Sequence, residues 1–116
     1  IFVQLGVCRG INLMDDYAKK MSTYYQSLAS ECTKKIRSSE KIACIEPSTG
    51  FYLFIDIRKT QLEGFDFARQ LFEECKTAIT PGEVFGYNGF VRASICGKTE
   101  DVIEGIRRLV HFSNAT

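Results

Sequence analysis

The chain has 116 residues, 45% of them hydrophobic and 25% charged, the balance of one small globular domain with a single core. Its net charge of +1 gives no electrostatic reason to expect nucleic acid or an anionic membrane as a partner. No apolar run approaches the ~20 residues of a bilayer span, and the opening Ile1-Phe2-Val3-Gln4-Leu5-Gly6 lacks the basic flank of a signal peptide.

In chain order, residues 1–12 are apolar with weak helical spacing. Residues 15–37 read as a long helix. Asp15 and Asp16 favour its start, Tyr17, Met21, Tyr24, Leu28, Cys32 and Ile36 recur every three or four positions, and Lys34, Lys35 and Arg37 close it. Such a helix is long for so small a chain and suggests a bridge between two domains. Ile42 to Ile45 reads as a short strand, and Glu46-Pro47-Ser48-Thr49-Gly50 as a loop. Phe51 to Ile57 is the strongest strand; both of its faces are apolar, which predicts a central strand covered on each side. Phe65 to Lys76 is an amphipathic helix with Phe67, Ala68, Leu71, Phe72 and Cys75 on one face.

Thr77 to Thr80 reads as a short strand ending at the turn Pro81-Gly82, and Phe90 to Cys96 as a strand in which Val91, Ala93 and Ile95 alternate with Arg92, Ser94 and Cys96. The last helix runs from about Glu100 to His111, with Thr99 as N-cap and a buried face of Val102, Ile103, Ile106, Leu109 and Val110. The order predicts an α+β fold: a small sheet of mainly antiparallel strands with helices packed against it, preceded by a long interdomain-type helix.

The five cysteines, at 8, 32, 44, 75 and 96, are odd in number and form no Cys-x-x-Cys pair; with a single histidine they argue against zinc. They read as reduced, mostly core thiols of an intracellular, cytoplasmic protein. The chain opens with Ile inside an apolar stretch. It is expected to be one domain, 1–116, cut from a longer protein, with residues 1–14 packing on a large domain that precedes it.

Gly97-Lys98-Thr99 ends like a P-loop, but Arg92 stands where that motif needs its first glycine. His111 has no nucleophile beside it in any motif, and near a helix C-terminus it complements the dipole. Asp56 reads as a strand-end residue capping the next loop. Phe51, Tyr52, Phe54, Phe65, Phe67 and Phe72 read as core packing. Phe85, between Gly82 and Gly86, is off any periodic face and must either pack or line a site.

Arg92 is the sharpest feature. It places a permanent cation in an apolar strand just after the Pro81-Gly82 turn. Such an arginine either points into water or receives an anion, and its planar fork suits a carboxylate.

The ordered set Gly50-Phe51-Tyr52-Leu53-Phe54-Ile55-Asp56-Ile57, Phe67-Ala68-Arg69-Gln70-Leu71-Phe72, Thr80-Pro81-Gly82-Glu83-Val84-Phe85-Gly86 and Gly89-Phe90-Val91-Arg92-Ala93-Ser94 resembles a known family. It is similar to the carboxy-terminal small domain of the class I/II, fold type I, pyridoxal-phosphate-dependent aminotransferases. The resemblance implies that Arg92 binds the substrate α-carboxylate, with Phe85, Gly86 and Pro81 near the pocket on a mobile lid. It implies a homodimeric enzyme that exchanges an amino group between an amino acid and a 2-oxo acid. The cofactor lysine, in a Ser-x-x-Lys context, and the aspartate on the pyridine nitrogen are missing here, so pyridoxal 5'-phosphate would be bound by the large domain. The segment alone is therefore expected to be inactive. Two readings stay beside this one: a stand-alone small-molecule-binding or regulatory module, and a lyase or synthase of the same fold.

Overall fold

A computed structural model describes residues 1–116. Helix α1 (Phe2–Gly10) leads through a 3-10 turn, Ile11–Leu13, into helix α2 (Met14–Ile36). Strands β1 (Ala43–Cys44) and β2 (Tyr52–Asp56) follow. Helix α3 (Gly64–Cys75) precedes strand β3 (Thr80–Pro81), a 3-10 turn (Gly82–Phe85), strand β4 (Phe90–Ser94) and helix α4 (Thr99–Ala115). The fold is α+β, with a four-stranded sheet in the order β1-β2-β4-β3 and every pairing antiparallel.

The ladder explains the burial. Leu53 pairs with Ala93 and Ile55 with Val91. These four side chains share one face with Ile57 and Ile95, all of them buried. The C-terminal half of α2 (Leu28, Ala29, Cys32, Ile36), α3 (Phe67, Leu71) and α4 (Ile106, Leu109, Phe112) fill that side as one apolar cluster. Phe67 meets Phe112 edge-on, ring centres 5.1 Å apart. The Arg108 Nη1 donates to the Cys75 carbonyl at 3.1 Å and ties α4 to the end of α3.

The opposite sheet face, carrying Tyr52, Phe54 and Asp56 of β2 with Phe90, Arg92 and Ser94 of β4, has no helix over it. β2 is central in the strand order, as expected, but it is covered on one side only. Of the aromatics expected in the core, Phe67 alone is fully buried; Phe51, Tyr52, Phe65 and Phe72 are exposed, Phe72 by 54%. The two edge strands, β1 and β3, are shorter than expected: each pairs on one side only, and for two residues.

The predicted stripe on α2 is buried only from Leu28 onward; Tyr17 and Tyr24 are exposed. The first half of α2 and all of α1, which contains no buried residue, project from the sheet. The result is an elongated shape, 51 × 28 × 23 Å, with a radius of gyration of 16.6 Å against the about 13 Å of a compact chain this size. No helix is long and apolar enough to cross a membrane.

Three local expectations change. Lys98, not Thr99, is the N-cap of α4; the Thr99 hydroxyl instead bonds the Tyr24 hydroxyl at 2.8 Å. The helix continues to Ala115, so His111, Arg107 and Arg108 lie before its last turn. The cysteines divide: Cys32 is buried, Cys44 and Cys75 are half-buried, and Cys8 and Cys96 are exposed.

Candidate functional site

Arg92 lies in the middle of β4, half-buried, on the face the helices leave open. Alternation puts it there: its neighbours Val91 and Ala93 take the core side. Phe54 stands directly across the ladder, and Tyr52 one diagonal step away opposite Ser94. The guanidinium carbon is 4.2 Å from the centre of the Tyr52 ring and 4.2 Å from that of Phe85. Both rings therefore pack against the guanidinium at cation–ring distance. The N–H donors of a guanidinium lie in its plane, the direction from which a carboxylate is bound by two parallel hydrogen bonds.

The second cation on this face is already engaged. Arg58 donates through Nε to Asp56 Oδ1 at 3.0 Å and through Nη2 to Asp56 Oδ2 at 2.6 Å, and its backbone N–H reaches Oδ1 at 3.0 Å. These bonds hold the Asp56 carboxyl below its ordinary pKa. Asp56 thus caps the following loop, as its strand-end position suggested. The ion pairs of the chain are Arg58–Asp56, Arg69 with Asp66 and Glu73, and Glu104 with Arg107 and Arg108. Arg92 takes part in none of them.

The turn after β3 sets the Phe85 ring. Gly82 is buried, and a Cβ on it would collide with the backbone carbonyls of Tyr87 and Phe90. Gly86 ends the turn at φ +80°, a conformation that favours glycine. Its N–H bonds the Glu83 carbonyl at 2.9 Å, and the Tyr87 N–H bonds the Gly82 carbonyl at 3.0 Å. Pro81 pairs with Val91, on the core side of the ladder, whereas Thr80 pairs with Arg92. Of the residues expected around Arg92, Phe85 touches it, Gly86 shapes the turn beside it, and Pro81 belongs to the other face.

Tyr52 is the contact that sequence reasoning missed, and Phe54 and Thr80 are its companions on the same face. The available signal was cross-strand pairing, since β2 and β4 were both recognised. Around them Phe54 stacks on Phe90 with centres 5.1 Å apart, and Tyr87 meets Phe54 edge-on at 5.6 Å. Two hollows lie away from Arg92. One, of about 320 Å³, is between α4 and the end of β4; the other, of about 370 Å³, is between α2 and the Thr49-Gly50-Phe51 segment.

The strands that build the open face carry no lysine. Lys59 donates to the Glu40 carbonyl and Lys76 to the Glu73 carbonyl, and no lysine is buried. The open face carries the Arg92 guanidinium, outside every ion pair of the chain, against the rings of Tyr52 and Phe85.

Comparison with known proteins agrees with this architecture. An aspartate aminotransferase of Thermotoga maritima is 37% identical over 71 residues, 61% of this chain and 18% of that protein. The solved structure of an aromatic aminotransferase from Pyrococcus horikoshii superposes with a TM-score of 0.71 at 27% identity, covering 76% of this chain and 24% of that one. A tyrosine aminotransferase from Leishmania infantum shares the fold over 94% of this chain and 28% of its own, with a TM-score of 0.82 at 16% identity. The chain spans less than a third of the length of the relatives it matches. Residues 5–109 match the family described as aminotransferase class I and II, and the chain belongs to that family.

Proposed function

We propose that this chain is the C-terminal small domain of a pyridoxal-phosphate-dependent aminotransferase, and that Arg92 binds the α-carboxylate of the amino-acid or 2-oxo-acid substrate. The observation that carries the reading is the Arg92 guanidinium held between Tyr52 and Phe85 with no internal carboxylate on its edge. Fixing a guanidinium plane in advance removes part of the ordering cost of binding a planar anion. A substrate held by two parallel hydrogen bonds is also fixed in rotation, which is what positions the bond to be broken.

The cofactor would supply the electron sink of the reaction from a preceding large domain. This chain would contribute the carboxylate receptor and the surface that closes over the substrate. The exposed apolar residues of the first segment, Phe2, Val3, Leu5, Val7 and Ile11, would pack on that large domain in a homodimeric enzyme. A patch of this kind is expected at an interface.

Arg92→Lys in the full-length protein tests the reading. Lysine keeps the charge and loses the fork, so kcat/KM is expected to fall by about 2–4 kcal/mol, roughly 30- to 1000-fold. Unchanged catalytic efficiency would sink it.

A further inference from the structure

Glu83 is the residue whose placement the carboxylate site does not explain by itself. It lies two positions before Phe85 in the Gly82–Phe85 turn, and its side chain reaches the start of α3. Its Oε1 accepts the backbone N–H of Gly64, the first residue of α3, at 2.7 Å across 19 positions of sequence. The local N-cap of α3, Glu63, makes no side-chain bond to the helix. The start of α3 is therefore capped by a residue of the distant turn, where the helix dipole favours an anion.

The fit is close. A Cβ at position 64 would collide with the Glu83 carboxylate, so glycine leaves the space the carboxylate fills. The other oxygen, Oε2, is buried and has no hydrogen-bond partner. Burying an unpartnered carboxylate oxygen is costly, and surface acids do not accept that cost when a side-chain rotation into water would remove it. The helix that receives Glu83 is anchored in the core by Phe67 and Leu71, both fully buried.

We propose that Glu83 is a positioning residue: its clasp on the Gly64 N–H holds the Gly82–Phe85 turn so that Phe85 covers one face of Arg92. The same clasp occupies the one carboxylate carried by that turn, leaving the Arg92 edge open to an external one. The proposal rests on the reading of Arg92 as the carboxylate receptor only for its effect on substrate binding; the clasp itself is independent of it.

The test reads the Arg92 Nε–H proton by NMR in the full-length protein. Between two rings this proton is shifted upfield, and Phe85→Leu marks where it lies when one ring is lost. Glu83→Ala is expected to move the resonance toward the Phe85→Leu position. Glu83→Gln, whose amide oxygen still accepts from Gly64, is expected to keep it near wild type. A Glu83→Ala resonance at the wild-type position overturns the proposal. Should Glu83→Ala fail to fold, Glu83→Asp, one methylene too short to reach Gly64, carries the same expectation and the same overturning result. Where the resonance moves, KM for the amino-acid substrate is expected to rise about 2- to 10-fold with kcat little changed, and Glu83→Gln to restore it. A moved resonance with unchanged KM supports the clasp and overturns its effect on substrate binding, while Arg92→Lys alone decides the carboxylate reading, so the two failures are distinguishable.

Discussion

The Arg92 guanidinium carbon and the centre of the Phe85 ring are 4.2 Å apart, the same separation as from the Tyr52 ring. The two contacts come from different sources. Tyr52 is placed by the β2–β4 ladder, whereas Phe85 is placed by a turn that glycine makes possible at both ends. The pair therefore fixes the guanidinium plane from two independent directions.

If Arg92 binds a carboxylate as proposed, removing one ring should weaken that binding without abolishing it. Phe85→Ala is expected to raise the dissociation constant of a simple carboxylate inhibitor by about 2- to 30-fold, equivalent to ~0.5–2 kcal/mol of cation–ring attraction. Tyr52→Phe keeps the ring and is expected to change the constant by less than about twofold on the same scale. Titration of the full-length protein with the inhibitor reads both. A Tyr52→Phe loss as large as that of Phe85→Ala would mean that the hydroxyl, not the ring, does the binding.

The two glycines of the turn should fail for different reasons. Gly82→Ala drives a methyl into the carbonyls of Tyr87 and Phe90 and is expected to cost about 2 kcal/mol or more. Gly86 has open space where a Cβ would lie, so Gly86→Ala meets only the strain of φ +80°, about 1–2 kcal/mol. Denaturant titration gives both values; equal and negligible losses would contradict the geometry.

Acid should act visibly at Glu104. It accepts from Arg107 Nε and Nη2, both at 2.7 Å, and from Arg108 Nε at 2.8 Å. The bonds from Arg107 lead, and with those from Arg108 they bring its pKa down from 4.5 to about 2. The folded pKa is depressed, so the stabilisation is complete above about 4.5 and is lost as pH falls toward about 2. Glu104→Gln should melt lower than wild type at pH 7, and the gap should close through that acid window. The groups are exposed, so added salt should also narrow it. A gap constant with pH would rule the ion pairs out as its source.

Thiol reactivity should separate the cysteines. Cys32 is fully buried and burial pushes its pKa up to about 11, so it carries little thiolate near neutral pH. Cys8 and Cys96 are exposed. Alkylation at pH 8 followed by mass spectrometry should label Cys96 first and Cys32 only after denaturant is added. Early labelling of Cys32 would show that α2 opens from the sheet.

Much of this was legible in the chain. The two periodicities gave the element order, and the alternation in β4 correctly assigned Val91, Ala93 and Ile95 to the core and Arg92 to the other side. What a pattern of apolar residues cannot state is which covering element is at hand. Tyr52 and Phe54 read as core because they are aromatic, yet no helix of this chain reaches them. Phe67 and Phe72 are both apolar positions on one helix, and only packing separates the first, fully buried, from the second. The clasp between Glu83 and Gly64 is invisible to any local reading, because its partners are 19 residues apart.

The strict alternation of β4 has an evolutionary consequence. Val91 and Ala93 answer to folding, while Arg92 and Ser94 are answerable to whatever lies in front of the sheet. A substitution on the outward positions can change what that face presents without disturbing the packed side, so selection on the open face and selection for foldability act on separate residues of one five-residue strand. A scaffold divided in this way can diversify its chemistry by single steps that each leave a folded protein.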